Sequence, residues 1–228
     1  MLPSDVVADI NSKKSQYREI AKYMDFYSSL LYLFGSDVVS SLSIFFEDLI
    51  IYLLRQGKVP RPALSSPAFY AIQRAWELWE SLDLRGTYIY RGTSASFLSE
   101  TLKSGGGMYC VSCDSSDITN WSFYPLPALY YASMRQNPVV LVAKYDPKYC
   151  TKVYYYILRG EVNGVVNDKF VAYGGIAFMW EAEVRCYKFP LSNVKYKLFG
   201  SDLLELLDIS ADVAPWLVNK EDLEGVLK

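Results

Sequence analysis

Two glutamates two residues apart, Glu181 and Glu183, are the strongest chemical signal in the chain. They lie in Phe178-Met179-Trp180-Glu181-Ala182-Glu183-Val184-Arg185-Cys186-Tyr187, whose apolar and aromatic content predicts a β-strand. Strand side chains alternate between two faces. Phe178, Trp180, Ala182, Val184 and Cys186 then form a core row, and Met179, Glu181, Glu183, Arg185 and Tyr187 point the other way. Like charges that close raise one pKa unless a cation or hydrogen bonds intervene. Folding gains little from such a pair, so the spacing points to chemistry. The alternative without chemistry is a solvent-facing strand whose charge row is closed by Arg185.

Composition narrows what that chemistry can be. The 228 residues contain no histidine, which removes His-based triads, His-ligated metals and imidazole acid–base steps. Proton transfer falls to Glu, Asp, Lys, Tyr or Cys. A formal net charge of −2 gives no broad nucleic-acid footprint. Cys110-Val-Ser-Cys113 is a C-x-x-C without the second pair that a zinc site needs, and it sits in an extended segment where a redox pair favours a helix N-terminus. With Cys150 and Cys186, these cysteines read as small buried apolar side chains. No signal peptide is visible, and the most apolar run, Val38 to Leu54, is broken by Glu47 and Asp48. No membrane partner and a cytoplasmic location are expected.

At 51% hydrophobic and 21% charged, the chain can bury a substantial core. Residues 5–34 carry Val6, Val7, Ile10, Tyr17, Ile20, Ala21 and Met24 at helical spacing, with Ser4 as N-cap and Gly35 as terminator. A second helix is predicted from Val38 to Gly57, and a third from Ser66-Pro67 through Trp76, Trp79 and Leu82. From Thr87 extended segments take over: Tyr88–Tyr90, Met108–Cys113, Val139–Tyr145, Val153–Leu158, Phe170–Tyr173 and Phe178–Phe189. A polar helix (Ser96 to Lys103) and an apolar one (Pro127 to Met134) interrupt them. Leu-rich helical turns follow at Asp202–Leu207 and Glu221–Leu227. The expected class is α+β, with residues 1–84 a helical part packed on a core of residues 85–228, together one compact unit.

Read in order, Arg91, Ser112 and Glu183 resemble the arginine–serine–glutamate class of mono-ADP-ribosyltransferases, the group of bacterial binary toxins and phage transferases. The resemblance covers roughly Thr87 to Pro190. Tyr88-Ile89-Tyr90-Arg91-Gly92-Thr93 is similar to the family's aromatic-Arg-Gly strand, and Met108-Tyr109-Cys110-Val111-Ser112-Cys113 to its Ser-Thr-Ser strand. Ala128-Leu129-Tyr130-Tyr131-Ala132 resembles the helix that follows, Val139 to Ala143 the next core strand, and Glu181-Ala182-Glu183-Val184 the Glu-x-Glu motif. The chain departs from the pattern where Ser112-Cys113-Asp114 replaces Ser-Thr-Ser, leaving the third hydroxyl missing or supplied by Ser115. It departs again in an insertion, Asp114–Pro127. Arg91 is preferred to Arg85, which also precedes Gly-Thr, because Arg91 follows the aromatic strand. Asn120-Trp121-Ser122 is a glycosylation sequon only in a secreted protein, and Trp76, Trp79 and Trp121 read as core.

The resemblance implies a mostly antiparallel β-sandwich core and transfer of ADP-ribose from NAD to a protein acceptor with release of nicotinamide. Glu183 would bind the ribose and offset positive charge on the sugar. Arg91, with Gly92 and Thr93, would hold the NAD phosphates, a role suited to a planar, permanently charged donor. Ser112 would aim Glu183, Glu181 would engage an arginine acceptor, and Tyr173 would lie on the loop that meets the target. NAD enters as substrate, and no metal is implied. The family's habits also imply a phage, viral or bacterial effector. An NAD glycohydrolase on the same scaffold, or a binding module that kept the fold and lost the chemistry, remain open.

Overall fold

The computed structural model of the protein describes residues 1–34, 74, 77–96, 118–155, 172–174, 181–187, 189–214 and 219–227. The expected second helix, the polar helix after Ser96, the Met108–Cys113 strand with Ser112, and the first half of the Phe178–Phe189 strand lie outside them. The described parts are α+β. Helix α1 (Ser4–Phe34) precedes strands β1 (Tyr88–Ser94) and β2 (Ile118–Ser122) and helix α2 (Pro125–Ser133). Strands β3 (Pro138–Lys144), β4 (Cys150–Tyr155), β5 (Ala172–Gly174), β6 (Glu183–Tyr187) and β7 (Val194–Leu198) follow, then helices α3 (Ser201–Ser210) and α4 (Lys220–Leu227).

The strands are hydrogen-bonded in the order β5-β4-β6-β2-β1-β3-β7, antiparallel except for β4 with β5. Among the described residues the seven strands form one continuous hydrogen-bonded order. The sheet is nonetheless joined unevenly. β1 pairs with β3 from Tyr88 to Ser94, and β2 pairs with β6 along its whole length. Between β1 and β2 the one register pair is Tyr90 with Ser122. Two long ladders therefore meet at one point.

Two strands were not foreseen. β2 falls in the stretch read as an insertion, where Asn120 and Ser122 hide the strand pattern. β7, with Lys195 and Lys197 alternating with partly buried Val194 and Tyr196, borders the sheet, where charged side chains discourage further pairing. The key strand is also shorter than expected, because β6 begins only at Glu183.

Helix α1 forms because Val6, Ile10, Tyr17 and Ile20 recur at helical spacing, and all four are fully buried. Lys13 occupies the gap in that stripe and is itself 2% exposed. Its ammonium meets Asp9 at 2.7 Å, donates to the backbone carbonyl of Tyr88, and donates to that of Phe123 at 3.1 Å. Asp9 also accepts from the Tyr88 amide at 3.0 Å and the Tyr90 hydroxyl at 2.7 Å. Burial pushes the Lys13 amine down to about 8, partly offset by Asp9, so it remains a cation at neutral pH. Tyr88 belongs to β1 and Phe123 follows β2, so this one cation bridges the two ladders beside their single backbone pair.

At the other end of the sheet, Trp79 donates from its indole to the Val153 carbonyl at 3.0 Å. Lys152 donates to the carbonyls of Trp79, Glu80 and Leu82, satisfying the end of the helical segment 77–81. Trp79 and Trp121 are both buried, as their reading as core residues requires. Arg85 sits beyond the helix in an exposed turn, bound to Asp83. Cys150 and Cys186 are buried but not as separate apolar side chains. They face each other across β4 and β6 and form a disulfide. Among the described residues no helix is long and apolar enough to cross a membrane.

Helix α2 starts with proline in its first turn, where no amide partner is lost, and buries Leu126, Ala128, Leu129 and Ala132. It lies on β1 at Gly92. A Cβ there would stand 2.0 Å from the Ala128 carbonyl oxygen and 2.6 Å from the Ala132 amide nitrogen, both backbone atoms that cannot swing away. Gly92→Ala is therefore expected to cost about 3 kcal/mol or more, with a fall in Tm of roughly 6–12 °C. A melting curve superimposable on the wild type would disprove that contact. Lys13→Met, which leaves the Asp9 carboxylate without its cation, should cost a further-reaching 3–5 kcal/mol or about that. Denaturant titration tests this, and an unchanged midpoint would show that the bridge contributes no stability.

Candidate functional site

Glu183 opens β6 and pairs with Ser122 of β2, which pairs in turn with Tyr90 of β1. Cross-strand partners project to the same face, so the Ser122 and Glu183 side chains are neighbours. Both are buried, Glu183 at 4% exposure. Two strand spacings separate β1 from β6, about 10 Å. Arg91 comes directly after Tyr90, and its guanidinium donates to the Asn120 carbonyl at 2.8 Å. It therefore reaches across the place where β1 and β2 part company. Arg91 and Lys13 thus flank the single pair, one cation on each side along β1.

The two glutamates are brought together by a geometry the alternation pattern did not contain. Glu181 lies in a helical turn, and Ala182 has φ of +43°, a left-handed conformation that costs a residue with a Cβ about 1–2 kcal/mol. Ala182 is fully buried, and its carbonyl still accepts from the Phe123 amide at 3.0 Å. Packing holds the strained residue in place. Glu183 points to the face opposite Val184 and Cys186, which are fully buried as expected.

Their environments differ. Burial raises the Glu183 carboxyl above its usual range, and Arg185, with its Nε 2.9 Å from Glu183 Oε1, opposes that rise. Burial likewise pushes Glu181 up to about 7. The Tyr131 hydroxyl, which donates to Glu181 Oε1, and the Arg185 charge pull it back, while the Glu183 charge pushes it further. Near neutral pH one carboxyl of the pair is poised to exchange a proton, which is what general acid–base work needs.

Of the residues expected to hold phosphates, Arg91 is half-buried at the parting of the ladders and Thr93 is buried one position beyond Gly92. Gly92 has its missing side-chain volume filled by α2. Tyr173 lies in β5, at the far edge of the sheet from β1. Ser112 lies outside the described residues. Sequence reasoning missed three groups: Ser122 beside Glu183, Asn120 beneath Arg91, and Tyr131 on Glu181. The signal for the first two was present, since the strand-favouring Thr119 and Trp121 alternate with Asn120 and Ser122. It was obscured by reading the segment as an insertion. Among the described residues no group of three or more Cys, Asp or Glu side chains is arranged to hold a metal ion.

Comparison with known proteins adds one relative. The chain is 28% identical over 223 residues to Uncharacterized protein 67 of Sulfolobus islandicus filamentous virus (isolate Iceland/Hveragerdi), covering 90% of this chain and 95% of that one. No protein-family model and no solved structure matches the chain.

Proposed function

We propose that the protein transfers ADP-ribose from NAD to an arginine side chain of a protein acceptor and releases nicotinamide. The observation that carries this reading is the register Tyr90–Ser122–Glu183, which sets the buried Glu183 two strands from the segment of β1 that bears Arg91, with a second buried carboxylate, Glu181, two residues before it. The core is then an ADP-ribosyltransferase-type sandwich whose two halves are the two ladders. A viral relative of nearly the same length agrees with the viral or phage origin that the resemblance implies.

In this reading the bond between ribose C1′ and the nicotinamide nitrogen breaks, nicotinamide leaves as a neutral molecule, and an arginine nitrogen attacks C1′. Glu183 offsets positive charge building on the ribose, in a buried setting where a fixed charge acts strongly. Arg185 favours the ionised form of that carboxylate and orients it. Arg91 binds the phosphates, since a guanidinium already aimed across the gap suits a planar multidonor contact. Ser112 aims Glu183, as the resemblance implies, and Ser122 stands beside Glu183 in register. Glu181 receives the proton that the arginine nitrogen loses on attack.

Purified protein with labelled NAD, with and without cell lysate, tests the reading. Glu183→Gln should lower transfer by about 100-fold or more while the fold persists; retained transfer would sink the mechanism. Glu181→Gln should suppress arginine modification yet spare nicotinamide release, and a parallel loss of both would remove its acceptor role. Free nicotinamide without labelled protein would mark a glycohydrolase. No turnover and no thermal shift with NAD would leave a binding module on this scaffold.

A further inference from the structure

We infer that Tyr131 is a positioning residue for the acceptor chemistry: its hydroxyl fixes the orientation of the Glu181 carboxylate that accepts a proton from a guanidinium. The inference rests on the transferase reading above. Three observations meet at this residue. Its hydroxyl donates to Glu181 Oε1. Tyr131 is 37% exposed while Glu181 is only 8% exposed, so the tyrosine stands at the surface end of a buried carboxylate. The ring packs edge-on against Tyr130 at 5.5 Å, and its helix is fixed on Gly92 by backbone contacts that leave no room for sliding.

Among the described residues, the charged and titratable groups acting on Glu181 are Tyr131 from α2 and Glu183 and Arg185 from β6. Burial and Glu183 favour the protonated acid; Tyr131 and Arg185 favour the carboxylate. A neutral acid cannot take the proton that arginine loses when its nitrogen bonds to C1′. Tyr131 therefore supports transfer to arginine, whereas cleavage of the nicotinamide bond, which depends on Glu183 and Arg91, does not need it. A donated hydrogen bond lowers the pKa of a carboxyl, so removing the hydroxyl raises it and moves the acid limb of transfer to higher pH.

Tyr131→Phe tests this in two measurements. Carbon-13 NMR of the glutamate carboxyls without NAD, with Glu181→Gln as assignment control, should show the apparent Glu181 midpoint rising by on the order of one pH unit. With agmatine as acceptor, assayed from roughly pH 5.5 to 9, the acid limb of transfer should move by the same interval, about tenfold less transfer near pH 6. Nicotinamide release without acceptor should keep its wild-type profile. An unmoved Glu181 midpoint overturns the inference, as does an equal loss of transfer and release at every pH. If the wild type leaves NAD intact, the transferase reading fails on its own. The carboxyl titration then decides about Tyr131, a rise supporting the positioning and no rise refuting it.

Discussion

The sheet depends on one backbone pair. Tyr90 and Ser122 are the register contact between a ladder built on β1, β3 and β7 and another built on β2, β4, β5 and β6. A single pair is a weak joint, and side-chain cations reinforce it on both sides. Lys13 ties the carbonyls of Tyr88 and Phe123 together from α1, and Arg91 reaches the Asn120 carbonyl. Charge-assisted bonds to carbonyls are among the stronger polar contacts a protein can make. A buried lysine is costly alone, but Asp9 neutralises it and is itself held by the Tyr88 amide and the Tyr90 hydroxyl. The long N-terminal helix is thus part of the sheet's construction.

That joint explains where reactive groups collect. Where two ladders diverge, backbone groups and side chains face each other without completing a sheet. Glu183 enters through its register with Ser122, and Glu181 through the left-handed turn at Ala182. The strain at Ala182 is compatible with a site whose surroundings are tightly determined: full burial, a kept backbone hydrogen bond, and α2 nearby. The flanking ladder is braced independently, by the disulfide between β4 and β6 and by Lys152 on the end of the 77–81 helix. The strand bearing Glu183 is therefore fixed on both sides, by β2 and by β4.

Much of this was legible in the sequence. Helix α1 followed from the recurrence of Val6, Ile10, Tyr17 and Ile20, the core strand β3 from Val139 to Ala143, and the C-terminal helices from their leucines. The proximity of Glu181 and Glu183 was legible too, because residues two apart cannot separate far. These features rest on short-range rules: side-chain period, caps, and the covalent reach of two or three residues.

What the sequence could not decide was which distant segments would become neighbours. Lys13 stands in an apolar stripe, and Asp9 with the carbonyls of Tyr88 and Phe123 makes its buried cation tolerable. Cys150 and Cys186 are 36 residues apart, and their bond exists because β4 and β6 align in one register. Ser122 became the residue beside Glu183, and Tyr131 the residue on Glu181, through strand pairing and through a helix resting on Gly92. Local pattern sets what each segment can be. Register and close packing, which depend on the whole chain at once, set which side chains meet.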